Sequence, residues 1–374
     1  MSAAGTALTG EQEELRAAVR GFLEQHAPIA RARAMASAGE TVDPAVWTRM
    51  AAELGLHGLA VPVEYGGSGV GLAELQVVLE EAGRVLLVAP FLATVGLAAQ
   101  LLTTCEDPAA RERWLPPIAA GDLTATVAVG ESAGWSAQDV AVTATAGPTG
   151  WTISGTAGFV LDGDTADLLI IAAHAPDGLA FFGVQGVGPV RRRLATTDAT
   201  RPLARVDLDA VPATRIAGDG GALLARTRDL GLAALAAEQT GGAQHCLETA
   251  VEYAKVREQF GRPIGSFQAI KHKLADVLIE VESAVSAVRI AGSVVPTGDI
   301  ESTVAAALAA VHCSAAFTLA AKENIQVHGG IGYTWEHDAH LHLKRAKTTE
   351  RLLGIPAAHR ARLASLLTLT TEAS

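Results

Sequence analysis

Two segments combine the side chains that binding of a phosphorylated cofactor requires. The first, from Arg257 to Gln268, joins a guanidinium, amides and aromatic rings around a Pro/Gly turn. The second, from Gln326 to Tyr333, places an amide beside glycine backbone, which phosphate can approach closely because no side chain intervenes. Either segment alone could be an interhelical turn with accidental polar content. Together they predict a dinucleotide lying across helix ends.

Other clusters point less clearly to chemistry. The stretch from Gly66 to Gly71 lacks the third glycine of G-x-G-x-x-G and no clean βαβ unit surrounds it, so it is interpreted as an interhelical loop. Four histidines could share a helix face, but no cluster of Cys, Asp or Glu accompanies them with zinc-like spacing. We therefore expect no metal site at this group, which comprises His328, His337, His340 and His342.

The elements that must position these segments form three predicted domains. Residues 1–120 show helical spacing of apolar residues, beginning with a capping-box pattern at Thr9 and Gln12. Residues 121–217 consist of short β-branched runs broken by turns, with an antiparallel hairpin expected between 168–173 and 179–184. A last strand is expected at residues 205–208.

Residues 218–374 are expected to form a bundle of long helices. Gly241 and Gly242 lie inside a helical pattern at a cost in helix propensity, which predicts close approach of a second helix or a ligand. Two apolar stripes with helical spacing support the bundle: Ile270, Leu274, Val277, Val281 and Val285, and then Val304, Leu308, Val311, Ala315 and Leu319.

The composition argues against several classes of function. A formal net charge of −11 over 374 residues disfavours nucleic-acid binding, which draws on an excess of Lys and Arg. The 3 cysteines form no C-x-x-C pair, so neither a disulfide framework nor a zinc cage is indicated. We find no signal peptide, and no uninterrupted apolar run reaches the roughly 18 residues of a membrane span. We expect a cytoplasmic protein that binds neither nucleic acid nor membranes.

Three motifs, in the same order along the chain, resemble those of the acyl-CoA dehydrogenase family. They are Val61-Pro62-Val63-Glu64-Tyr65-Gly66-Gly67, the run Tyr-Ala-Lys-Val-Arg-Glu-Gln-Phe-Gly-Arg-Pro-Ile from Tyr253, and the run from Gln326 to Gly330. The resemblance extends over nearly the whole chain. It implies a helical N-terminal domain, a middle β domain built as a small antiparallel barrel, and a C-terminal four-helix bundle. It also implies FAD at a subunit interface of a tetramer.

The resemblance also implies which residues bind the flavin. Contacts to FAD are expected from Arg257, Gln259, Phe260, Phe267 and Gln268. Gln326, Gly329 and Gly330 are expected to meet the ADP portion of FAD from a neighbouring subunit, so that two chains complete one site. The family's T-E-P-x-A-G-S-D loop, which contacts flavin and substrate, has only a degraded counterpart in residues 130–136.

The residue that removes the substrate proton is missing from both positions where the family carries it. The usual catalytic Glu aligns with Leu353, and the position used by other members aligns with Gly231. Neither side chain can accept a proton. Glu350, about one helical turn before Leu353, and Glu238, about 10 Å of helix beyond Gly231, are the fallback candidates. Most glutamates at such positions are ordinary surface or paired residues.

Retained FAD motifs and a missing base lead to three hypotheses. In the first, the chain is the FAD-binding subunit of an α2β2 acyl-CoA dehydrogenase whose homologous partner supplies the Glu. Residues 332–341 are similar to actinobacterial members of that type, which act on steroid side-chain CoA esters. In the second, the chain is a self-sufficient homotetramer that uses a displaced Glu. In the third, it is a non-catalytic structural subunit. The resemblance implies an acyl-CoA substrate and an electron-accepting flavoprotein.

Overall fold

The computed structural model describes residues 7–131, 134–186 and 188–372, with side chains up to residue 367. Thr9 caps the first helix by accepting a hydrogen bond from the backbone of Gln12, whose side chain binds the backbone of Thr9 in return, as the sequence predicts. A π-helical stretch at Leu92–Ala98 leads directly into the fifth helix. The N-terminal helices are α1 (Gly10–His26), α2 (Ile29–Ala38), α3 (Pro44–Leu54), α4 (Leu72–Arg84), α5 (Ala99–Thr104) and α6 (Pro108–Ala120).

The middle domain is a seven-stranded sheet that closes into a small barrel. Its strands are β1 (Ala125–Ala128), β2 (Thr143–Gly147), β3 (Gly150–Leu161), β4 (Leu168–Ala175), β5 (Gly178–Gln185), β6 (Val190–Arg193) and β7 (Leu203–Ile216). The barrel runs β4–β2–β3–β7–β5 and returns to β4, while β1 and β6 pair outside this ring. Most pairings are antiparallel, but β1 and β2 pair with β4 in parallel. The predicted hairpin is confirmed as β4–β5, and the last strand is longer than residues 205–208.

Long helices form the C-terminal domain. They are α7 (Gly220–Val256), α8 (Gln268–Val294), α9 (Ile300–His328), α10 (Ala339–Thr349) and α11 (Pro356–Glu372), with a two-stranded hairpin of β8 (Glu258–Gln259) and β9 (Arg262–Pro263) after α7. A Cβ added to Gly241 would lie 1.8 Å from the carbonyl oxygen of Glu80 in α4. One added to Gly242 would lie 2.6 Å from the ring of Phe317 in α9. The predicted close approach at these glycines is therefore confirmed as helix packing.

The two predicted apolar stripes have different environments. Val277 and Val281 of α8 are buried in the bundle, as expected. The stripe on α9 lies on the outer side of the helix, where the side chain of Leu308 is 52% exposed, because the smaller alanines of α9 pack inward. The helix that this stripe predicted is confirmed as α9, and the spacing did not specify which way the stripe faces. By length and composition α9 could cross a membrane, but 61% of its apolar stretch is buried within the chain, as in a core helix.

Candidate functional site

An exposed hairpin carries most of the predicted flavin-binding residues. Gln259 pairs with Arg262 across β8 and β9, and Phe260 and Gly261 form the turn with left-handed backbone, at φ of 54° and 73°. The ring of Phe260 is 92% exposed. Its centroid lies 6.1 Å from that of Phe267, whose ring also receives the guanidinium of Arg262 at 4.2 Å. The hairpin therefore presents an aromatic and cationic surface to solvent.

Three polar side chains around this hairpin lack partners in the part of the chain that the structure describes. Arg257, Gln259 and Gln268 are exposed and form no side-chain hydrogen bond or ion pair within the described part of the chain. Exposed donors of this kind are available for phosphate or ring atoms of a ligand. We call the segment from Arg257 to Gln268 the FAD arm.

The second predicted motif lies at the same end of the bundle as the FAD arm. The ring of Tyr253 near the end of α7 stacks on His328 at 4.3 Å, and Val327 belongs to the same apolar cluster as Ile264 of the arm. Gln326 is exposed just before Gly329, which leaves α9 with a φ of 64°. No atom lies within 4 Å of a Cβ built on Gly329 or Gly330. This open backbone fits the approach of a phosphate.

The four histidines at which no metal site was expected each contact other aromatic rings. His328 contacts His337, His340 lies beside Trp335, and His342 is buried and stacks on His245 at 4.9 Å. Burial keeps the pKa of His342 well below its usual value. Among the residues with described positions, no three His, Cys, Asp or Glu side chains are arranged to hold a metal ion.

A small apolar cavity of about 30 Å³ lies where the three domains meet. Leu353 lines it together with Gly130 and Trp135, so the aligned base position and the degraded flavin and substrate loop do converge. Ser132 and Ala133 of that loop are outside the described residues. The described residues that line the cavity carry no ionisable side chain.

The two positions at which the family carries its base meet in this structure. A Cβ built on Gly231 would lie 3.0 Å from Cδ1 of Leu353 and 2.4 Å from Cδ2 of Leu97. Side chains at residues 231 and 353 therefore share one small space, although they come from α7 and from the turn before α11. Leu353 and Leu97 fill this space with methyl groups, and both are buried.

Glu350 lies on the other side of Leu353, at the edge of a cleft of about 950 Å³. The cleft runs between residues 195–203 of the middle domain and residues 347–360 of the C-terminal domain. The carboxylate of Glu350 accepts a hydrogen bond of 2.6 Å from Lys347. Its side chain remains 31% exposed, so a ligand in the cleft can reach it. Sequence reasoning did not identify Phe159, which lines both this cleft and the apolar cavity and has a strained φ of 53°.

Glu238 belongs to a buried ion network instead of facing the cavity. Its carboxylate accepts hydrogen bonds from Arg201 and, at 2.8 Å, from Arg345. Burial alone would raise the pKa of Glu238, but the two guanidinium groups outweigh it and lower the pKa. A carboxylate held in this way is a poor proton acceptor. These contacts favour the interpretation of Glu238 as an ordinary paired glutamate over that of a catalytic base.

Arg345 joins the middle domain to the bundle through this network. Besides Glu238 it donates to Asp198 at 2.9 Å and to the hydroxyl of Thr200 at 2.7 Å. All of these side chains are buried. One signal for the network was present in the sequence, an arginine within the apolar spacing of α10, but no spacing rule links Arg345 to Asp198, 147 positions earlier.

Asp162, beside the network, gives it a pH dependence. Burial raises the pKa of Asp162 to about 7, with Asp164 and Glu238 adding to the effect and Arg201 and Arg345 opposing it, and one carboxylate oxygen has no partner. A pKa raised on folding means that stability present at low pH is lost as the pH rises from about 4 to about 7. The wild-type free energy of unfolding should fall by a few kcal/mol, on the order of 1.4 kcal/mol per unit of pKa shift.

The Asp162→Asn variant tests this assignment. Asparagine cannot ionise, so the Asp162→Asn variant should not lose this stability. The difference between its free energy of unfolding and that of the wild type should therefore increase from about pH 5 to about pH 8, as measured by urea titration. The matched control is Asp177→Asn, an exposed carboxylate whose pKa is lowered by Arg215. If the free energy of unfolding depends on pH equally in the Asp162→Asn variant and in the wild type, Asp162 is charged in the folded protein.

Comparison with known proteins gives one family. The model of the acyl-CoA dehydrogenase N-terminal domain matches residues 9–122, and that of the acyl-CoA dehydrogenase C-terminal domain matches residues 218–367. Acyl-CoA dehydrogenase IpdE2 of Mycolicibacterium smegmatis is 35% identical over 93% of this chain and 96% of its own length. Acyl-CoA dehydrogenase FadE34 of Mycobacterium tuberculosis is 38% identical over 93% of this chain, which spans only 46% of FadE34.

Solved structures agree with this assignment. A variant of the Tcur3481–Tcur3483 steroid acyl-CoA dehydrogenase superposes with a TM-score of 0.87 at 32% identity, over 97% of this chain and 99% of the other. The ChsE4–ChsE5 complex of Mycobacterium tuberculosis superposes with a TM-score of 0.88 at 27% identity, over 97% and 98%. Both are described as pairs of different chains.

Proposed function

Because this chain belongs to the acyl-CoA dehydrogenase family of FAD-dependent oxidoreductases, we propose that it is the FAD-binding subunit of a heteromeric acyl-CoA dehydrogenase. The catalytic Glu comes from a related partner chain. The complex introduces an α,β double bond into an acyl-CoA thioester and passes the electrons to an electron-accepting flavoprotein.

One observation carries the proposal: the residues predicted to bind flavin are exposed, whereas the aligned base positions hold Gly231 and Leu353. The FAD arm keeps Arg257, Gln259 and Phe260 exposed, and the side chains of Arg257 and Gln259 form no hydrogen bond or ion pair with a described residue. In contrast, Leu353 lies beside Gly231 and lines a cavity whose described lining contains no carboxylate. Proton abstraction needs a base within about 3 Å of the substrate proton. A second chain supplying that base reconciles the two findings.

Three further observations support a two-chain assembly. The Tcur3481–Tcur3483 and ChsE4–ChsE5 structures each pair two different chains. FadE34 is about twice as long as this chain, which leaves room for a second unit of similar size. The outward stripe on α9, including Leu308, is a surface that a neighbouring bundle can bury.

In this proposal the residues of the chain bind and orient the cofactor. Arg257 and Gln326 would donate hydrogen bonds to the ADP portion, and the rings of Phe260 and Phe267 would pack against it. The open backbone at Gly329 and Gly330 would let the phosphates approach. Bound FAD supplies the acceptor for the β-hydrogen of the thioester. The partner chain holds the carboxylate that removes the α-proton.

A self-sufficient enzyme that uses Glu350 is the second candidate function. Glu350 is half-buried, lines the large cleft and lies close in sequence to Leu353. Its ion pair with Lys347 is near the surface and therefore weak, so a substrate could displace it. This candidate predicts activity for the chain without a partner.

The visible spectrum of the purified chain distinguishes the two. We expect no bleaching of the flavin by acyl-CoA thioesters when the chain is alone, and bleaching after co-expression with a homologous subunit. In the complex, Glu350→Gln should leave the bleaching rate within about twofold, whereas removal of a true base costs 10²-fold or more. Bleaching by the lone chain that Glu350→Gln abolishes would establish the second candidate instead. An active complex without flavin absorbance would assign the chain a purely structural role.

A further inference from the structure

A small polar pocket lies behind the turn that carries Leu353. Its volume is about 10 Å³, and a site for one water molecule needs roughly 10–15 Å³. Gln239 of α7, Ser314 of α9 and His359 of α11 line the pocket, and they are 2%, 4% and 5% exposed. Three separate helices therefore contribute a buried polar side chain to one small space.

Each of these three side chains has a polar atom without a partner. The atoms are Oε1 of Gln239, Oγ of Ser314 and Nε2 of His359, which form no hydrogen bond with any residue of the described ranges. Buried polar atoms in folded proteins are in the large majority hydrogen-bonded, to protein or to ordered water. The hydroxyl of Thr349, which also lines the pocket, already donates to a carbonyl oxygen of its own helix. The three unpaired atoms point to a ligand from outside the chain.

The chemistry of the pocket selects a small uncharged ligand that can both donate and accept hydrogen bonds. Oε1 of Gln239 only accepts, the Ser314 hydroxyl does either, and each nitrogen of a neutral imidazole is either a donor or an acceptor. Burial lowers the pKa of His359, so its ring is neutral at pH 7. Glu350 also lines the pocket, but its carboxylate is paired with Lys347 at 2.6 Å. A water molecule meets these demands, because buried waters usually form about three hydrogen bonds.

His359 packs directly against the turn. A Cβ built on Gly354 would lie 3.1 Å from both Nε2 and Cε1 of His359, and Gly354 has a φ of 109°, which favours glycine. Leu352 of the same turn lines both the polar pocket and the apolar cavity. A ligand that fixes His359 therefore also fixes the turn on which the aligned base position, Leu353, lies.

We propose that this pocket binds one ordered water molecule, which bridges Gln239, Ser314 and His359 and holds the turn at residues 350–354 against α7 and α9. The water site goes beyond the proposed function and does not rest on it, because it needs neither flavin nor a partner chain. Direct hydrogen bonds among the three side chains, or a bound ion, would give the pocket a different role, and the experiment separates these cases.

High-resolution crystal structures of the purified protein, with any partner that co-purifies, test the proposal. In the wild type we expect one electron-density peak at about 2.5–3.2 Å from all three polar atoms. In Ser314→Val the added methyl group should occupy the pocket, so the peak should be lost and the turn should become less ordered. No peak in the wild type, direct bonds among the three side chains, or a peak with the coordination of an ion overturns the proposal. A turn that stays equally ordered without the water overturns its positioning role. The wild-type structure decides whether water binds even if Ser314→Val does not fold.

Thermal unfolding gives an independent test in solution. Ser314→Val should lower Tm by about 2–4 °C, because Gln239 and His359 lose their shared partner. Adding Gln239→Met to Ser314→Val should recover part of this loss, since an apolar side chain of similar shape needs no partner. The matched control is Thr318→Val, which removes another unpaired hydroxyl of α9 outside this pocket and should keep both the water and the Tm. A further fall in Tm in the Gln239→Met/Ser314→Val variant would show that packing, and not a bound water, accounts for the loss.

Discussion

Replacing Arg345 by Met should lower the free energy of unfolding by about 3–5 kcal/mol, because it leaves two buried carboxylates without their shared cation. Arg345 is 1% exposed and holds Asp198 and Glu238 at 2.9 Å and 2.8 Å. Methionine fills a similar volume, so the loss measures uncompensated charge and not a cavity. Urea titration followed by circular dichroism provides the measurement.

The control for Arg345→Met lies in the same helix. Lys347→Met removes an exposed cation that pairs with Glu350, and such surface pairs contribute about 0–1 kcal/mol. A double-mutant cycle with Glu238→Gln then isolates the coupling between Arg345 and Glu238. If Arg345→Met costs no more than Lys347→Met, the network does not join the middle domain to the bundle.

Arg257→Gln combined with Phe260→Ala should weaken FAD binding by about 100-fold, since it removes one charged donor and one aromatic contact from the FAD arm. Both side chains are exposed, so thermal unfolding of the apoprotein should not change. Flavin content after gel filtration and fluorescence titration with FAD give the measurement.

Variants away from the arm show whether that loss is specific. Arg192→Gln combined with Val63→Ala also removes an exposed guanidinium and an exposed apolar side chain, and should keep full FAD affinity. Unchanged affinity in the Arg257→Gln/Phe260→Ala variant would falsify the assignment of the arm to FAD. Restoration of affinity by mixing with a partner chain would show that the partner has an arm of its own.

Local sequence signals were sufficient for most of the fold and for proposing the exposed arm as a cofactor site. The capping box at Thr9 and the turn between β4 and β5 depend on neighbouring residues. Gly241 could be identified because a side chain there would collide with the backbone of a packed helix. The FAD arm could be found because its aromatic and polar residues are contiguous in the chain. These features follow from short-range physical chemistry.

Features that depend on long-range contacts could not be found in this way. The partners of Glu238 come from the loop before β7 and from α10, so its burial and lowered pKa were invisible in the sequence. The outward direction of the α9 stripe was not predicted, because helical spacing identifies an apolar face but not its direction. Phe159 was missed because a left-handed backbone in a bulky residue has no sequence pattern.

The meeting of Gly231, Leu97 and Leu353 limits how this chain could acquire a base during evolution. A glutamate at residue 231 requires methyl groups of Leu97 and Leu353 to move, since Cβ alone would lie 2.4 Å from Cδ2 of Leu97 and 3.0 Å from Cδ1 of Leu353. Both leucines are buried, and overpacking of a buried region costs about 1–3 kcal/mol. The single-step alternative, glutamate at residue 353, places a carboxylate among apolar groups, at a cost of several kcal/mol. Each route to a base therefore passes through a less stable variant, so under the proposed function the need for a partner chain is retained.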